Sequence, residues 1–141
     1  MADDDELAML LGTLVSAGQQ FLKTQRGEFL PFAATIGLDG KTGMVGADIG
    51  IEHPQSTDMI AFLRGALRAQ AERNMIRGCG ICVNVSARLP GYEGKVDAIC
   101  CYIEQVGIPP IQFFVPFHKG FLGRYTFDKG IILPGQPSVF L

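Results

Sequence analysis

The sequence predicts an α+β domain: a mainly antiparallel sheet of five or six strands with two helices on one face, in the order α-β-β-α-β-β-β. Three observations lead to that class. Residues 3–23 and 57–74 carry apolar side chains at three- and four-residue steps, the period of an amphipathic helix. The stretches MIRGCGICVNVSAR, KVDAICCYIEQ and IQFFVPFH read as three strands in series. The connections between them, LPGYEG and VGIPP, are of hairpin length, which makes neighbouring strands antiparallel.

The elements follow in order. In the first helix Leu7, Leu10, Leu11, Leu14, Ala17, Gly18 and Phe21 form the apolar stripe. The acidic run Asp3 to Glu6 suits a solvated helix start, and Lys23 and Arg26 suit its end. Residues 28–38 then read as a strand. Pro31 cannot donate to a ladder, so this strand is expected at an edge or with a bulge. Asp39-Gly40 signals a type I′ hairpin turn, after which residues 43–51 return as a second strand. His53-Pro54 breaks that strand, and Ser56 or Thr57 is the expected N-cap of the second helix. After the three central strands, residues 120–127 read as one more short strand. The tail IILPGQPSVFL is apolar and turn-rich, and is expected to pack along the body.

A chain of 141 residues fits a single domain over 1–141. Apolar residues make up 48% and charged residues only 18%, so much of the surface must be neutral or covered. The net charge is −2 and the cations are scattered, which argues against a nucleic-acid footprint. No apolar run approaches the roughly 20 residues that span a bilayer, so no membrane partner is expected. The start MADDDE is unlike a secretory leader, so a cytoplasmic location is expected.

The four cysteines are then expected as free thiols. Cys79-Gly-Ile-Cys82 matches C-x-x-C in form, but lies inside a strand and not at a helix start. Cys100 and Cys101 are adjacent, so on a strand they point to opposite faces and make poor partners for one metal ion. Neither a metal nor another cofactor is expected, although a cysteine-based redox or metal protein is a third reading.

Three phrases, GEFLPFAATIGLDGK, KVDAICCYIEQ and FVPFHKGFLGRYTF, resemble a group of small uncharacterised bacterial proteins that share a domain of unknown function. The resemblance spans most of the chain after residue 27 and implies a fold without an assigned activity. Cys100 and Tyr102 depart from it, standing where charged, solvent-facing residues are expected. The element order is also similar to that of roadblock or profilin-like α/β domains, and fold likeness of that kind does not transfer function.

No catalytic residue can be named. His118 lacks a partner motif, and Asp48, Glu52 and His53 lack metal-ligand spacing. Gly78 and Gly80 do not make a phosphate loop, because the run continues as strand. The covering argument says more. Two helices cover one face of a five-stranded sheet, yet the central strands are apolar on both faces. The reading is therefore a non-catalytic binding or regulatory module that forms a homodimer, with Cys100, Tyr102 and Phe114 at the contact. The alternative is a small-ligand binder or enzyme with a pocket at His118, Lys119 and Tyr125. An unknown protein or a small molecule is the other partner the sequence allows.

Overall fold

The computed structural model describes residues 2–25, 29–46 and 55–140. The helices are α1 (Ala2–Thr24) and α2 (Ser56–Glu72). The strands are β1 (Phe32–Gly37), β2 (Thr42–Val45), β3 (Ile76–Arg88), β4 (Lys95–Gln105), β5 (Ile108–Lys119), β6 (Tyr125–Phe127) and β7 (Ile131–Pro134). The α+β class and the helix-strand order are those expected. All pairings are antiparallel, in the order β2-β1-β3-β4-β5-β6, and β7 lies beside β6 along the outer edge of β5. Neither helix is long and apolar enough to cross a membrane.

Strand alternation divides the core in two, and here the expected helix placement is corrected. Leu10, Leu14 and Leu22 of α1 pack with Cys82, Ile99, Cys101, Val115 and Phe117. Leu63 and Leu67 of α2 pack with Cys79, Ile81, Val83, Ala98, Cys100 and Phe114. Neighbours along a strand face opposite ways, so α1 and α2 cover opposite faces. The central strands are apolar on both sides because each side has its own helix.

The glycines of β3 set the spacing on the α1 side. A Cβ on Gly80 would stand 2.4 Å from Leu14 Cδ1 and 2.6 Å from Ile103 Cδ1. From the helix, a Cβ on Gly18 would meet Cys82 Sγ and Ile99 Cγ2, both at 3.3 Å. Gly80 of β3 is a seat for α1, while Gly78 makes room for Ile36 and Gln105.

Other details depart from the sequence reading. β1 is an interior strand, paired with β2 and β3; Pro31 precedes it, and its register shift falls between Ile36 and Gly37. In the β1–β2 turn Gly40 N donates to Gly37 O at 3.0 Å, and only Gly40 has positive φ (83°). That is a type I turn closed by a left-handed glycine, not type I′. The N-cap of α2 is Gln55, without a side-chain cap. The far end of α2 is an Asn-centred Schellman stop: Asn74 (φ 56°) N donates to Ala71 O and Met75 N to Gln70 O. The second strand ends at Val45; its expected remainder, with Asp48, Glu52 and His53, falls outside the described residues.

Glu6 is not part of a solvated helix start. It is 9% exposed and forms an ion pair with Arg77, whose Nε donates to Glu6 Oε2 at 3.1 Å. Arg77 Nη1 also donates to the Leu38 carbonyl at 3.0 Å, joining α1, β3 and the β1–β2 turn.

Gly80→Ala is expected to lower the unfolding free energy by about 1–3 kcal/mol through overpacking. The check is a lower urea midpoint at unchanged slope; an unchanged midpoint would show that α1 does not depend on this seat.

Candidate functional site

On the α2 side, the C-terminal segment closes over the end of the sheet. Glu104, 8% exposed at the end of β4, accepts hydrogen bonds from Ser138 N (2.7 Å), Ser138 Oγ (3.1 Å) and Val139 N (2.9 Å). Arg68 of α2 holds the same residue from its other side, donating from Nη2 to the Ser138 carbonyl at 2.7 Å. Val139 is buried against the α2-side core.

Between this strap, α2, β4 and β5 lies a cleft of about 280 Å³ lined by Arg64, Tyr102, Gln112, Gln136 and Ser138, among others. Alternation puts Tyr102 on the α2 side of β4, and Tyr102 and Gln112 are cross-strand partners. Arg64 lies one helical turn before Arg68, and its guanidinium sits over the Tyr102 ring at 5.4 Å from the centroid, a cation–π contact. The Arg64 Nε is buried and has no hydrogen-bond partner. Burial, and then the nearby Cys100, push the Tyr102 phenol up from its ordinary value, although Arg64 works the other way. The phenol therefore stays protonated at neutral pH. The lining offers a cation, a phenol and two amides beside the Glu104 carboxylate, whose oxygens are taken up by Ser138 and Val139; the remaining donors suit an anionic oxygen group.

The residues expected at a dimer contact are placed differently. Cys100 is 0% and Phe114 6% exposed within the single chain, packed on the α2 side with Ile131, Leu133 and Val139. Tyr102 alone of the three remains partly exposed, at the cleft.

His118, Lys119 and Tyr125 come together on the β5–β6 hairpin, but they do not line one cavity. Lys119 and Tyr125 are cross-strand partners, with Lys119 Nζ 6.0 Å from the ring centroid. His118 points to the other face, with Nε2 2.7 Å from Thr126 Oγ1. The Tyr125 ring packs with Phe117 and Phe127 on the α1 side. Arg64, Glu104 and Ser138 carry no motif that the sequence alone would single out.

The cysteines divide two and two. Cys79 and Cys100 lie under α2, and Cys82 and Cys101 under α1, so the C-x-x-C pair is split between faces. Among the described residues no three His, Cys, Asp or Glu side chains are grouped to hold a metal ion. The fold thus defines a small two-faced α+β domain with a donor-lined cleft. Comparison with family models, with curated proteins and with solved structures finds no match for it.

Burial pushes the Cys79 thiol up to about 12, helped by the Glu104 carboxylate. Burial likewise takes Cys100 to about 12, with a Tyr102 hydrogen bond working against it. Cys82 is raised by its hydrogen bond to Cys101 and then by burial. With an ordinary value of 9.0, the contribution of Cys79 and Cys100 to stability is complete below about pH 9 and is lost as the pH climbs toward 12. The four thiols are expected to resist a thiol reagent at about pH 8 until the chain unfolds. Rapid labelling of the native protein would contradict that.

Proposed function

We propose that this protein is a non-catalytic binding module that takes a small carboxylate-bearing molecule in the cleft beside Arg64. One observation supports this most: the buried Arg64 Nε has no hydrogen-bond partner. A buried donor left unpaired costs about 1–3 kcal/mol, and more when the group is charged. A carboxylate entering the cleft would pair it while the Tyr102 ring holds the guanidinium plane. The cleft, at about 280 Å³, lies just below the usual range for drug-sized ligands, so the molecule is small. Titration with a panel of mono- and dicarboxylates, followed by calorimetry and melting temperature, tests this. Binding should raise the melting temperature of the wild type and be lost in Arg64→Ala. Equal responses of the two proteins, or none in the wild type, would overturn the reading.

The homodimer is proposed with a different contact from the one the sequence suggested. Among the described residues β2 pairs on one side only, and its Met44 is 52% exposed. An open edge strand can add a copy of itself across a two-fold axis. Light scattering coupled to size exclusion should give twice the 15.2 kDa chain mass, and Met44→Pro, which removes an N–H on the open edge and leaves the Gly43–Thr35 ladder pair intact, should halve it. A monomer at micromolar concentration would remove the dimer from the proposal.

A further inference from the structure

The β5–β6 hairpin ends in a tight turn at Phe121–Gly123, with an unusual composition for a tip. Phe121 is 89% exposed and Leu122 79% exposed, the two most exposed large apolar side chains among those described. Every residue from His118 to Arg124 is exposed. The tip is nonetheless closed by backbone bonds: Gly120 N donates to Arg124 O at 2.7 Å and Gly123 N to Gly120 O at 3.2 Å. Leu122 sits at φ 65° and ψ 18°, a left-handed conformation that glycine or asparagine would take with less strain. A strained leucine fully in water gains nothing for the fold. An outlier of that kind points to a use outside the fold.

The charges around the tip indicate that use. Lys119, the last residue of β5, and Arg124, just before β6, stand on either side of the apolar pair, each one glycine away. The neighbouring β3–β4 hairpin closes with a second cationic pair, Arg88 opposite Lys95, both exposed. The two hairpins lie at the same end of the sheet, tied by Tyr92 Oη donating to Asp128 Oδ2 at 2.7 Å. That bond engages one of the carboxylates at this end; Glu93 and Asp97 are the others on the β3–β4 hairpin. The arrangement is an apolar wedge ringed by cations, the two signals that reversible attachment to a bilayer takes together.

We propose that the Phe121-Leu122 tip docks this protein on the surface of an anionic phospholipid bilayer. The two side chains enter the headgroup and acyl boundary, and Lys119, Arg124, Arg88 and Lys95 face the lipid charges. The expectation of no membrane partner rested on the absence of a spanning run, which peripheral docking does not need.

The test is sedimentation of the full chain with phosphatidylcholine vesicles containing about 30% phosphatidylserine, against phosphatidylcholine alone. Binding should be about tenfold stronger on the anionic vesicles and fall by a similar factor in about 0.5 M salt. Phe121→Ser combined with Leu122→Ser should weaken it about a hundredfold, as each side chain loses its apolar transfer. Leu122→Gly should also weaken binding while raising the melting temperature, which separates loss of docking from loss of folding. The chain contains no Trp, so Phe121→Trp places a single indole at the apex. Its emission should shift to the blue on anionic vesicles. No preference for anionic vesicles, wild-type binding by the double serine variant, or an unshifted indole would each overturn the proposal, leaving a protein partner or no partner at the tip.

Discussion

The structure depends on how closely α1 can lie against β3. Leu14 and Ile103 occupy the space where any side chain at position 80 would stand. Around that point the other contacts are also small: Gly18 on the helix, Cys82 and Cys101 on the sheet, with Cys82 Sγ 3.8 Å from the Leu14 carbonyl. Close-packed interiors feel even one added methylene. The helix sits low enough to bring Glu6 to Arg77, and that pair closes the end of the sheet where β1 turns into β2. With α1 occupying its face fully, α2 must take the other.

The strand pattern was the most readable part of the sequence, because a period of two is unambiguous where both faces are apolar. KVDAICCYIEQ matches β4 at both ends, and its alternating residues divide between the two cores as expected. The same two-sidedness hides the helix placement: apolarity on a second face marks the seat of α2, and the pattern alone does not separate that from an open surface. Side-chain periodicity reports that a face is buried and cannot say by what. The turn at Asp39-Gly40 failed for a local reason, since the dipeptide suits a two-residue loop but here closes a three-residue one. β5 also begins at Ile108, ahead of the two prolines that read as a loop, because its edge there needs few donors.

The cleft was not legible for a different reason. Arg64 and Tyr102 are 38 positions apart, and their approach depends on α2 crossing to a face that the pattern did not assign to it. Ser138 reaches the site because Glu104 and Arg68 hold it there. A glutamate at a strand end reads in sequence as an ordinary solvated charge. Its three bonds to the tail exist only once the fold places both chain segments side by side. The hairpin tip is the opposite case: HKGFLGR was visible as a string, but exposure, not sequence, distinguishes a displayed Phe-Leu pair from a buried one.

The connections also rank the order of assembly. β3, β4 and β5 form a meander joined by short hairpins, whereas β1 pairs with β3 across the whole of α2, and Glu6 finds Arg77 from 71 positions away. Local pairings form early and distant ones late. The middle of the meander is apolar on both faces, so until α1 and α2 arrive two apolar surfaces stand open on it. Transiently exposed surface of that kind favours association between unfinished chains. In this protein the productive yield of folding is therefore governed by the rate at which the two helices close over the meander, and crowding of nascent copies competes with that closure.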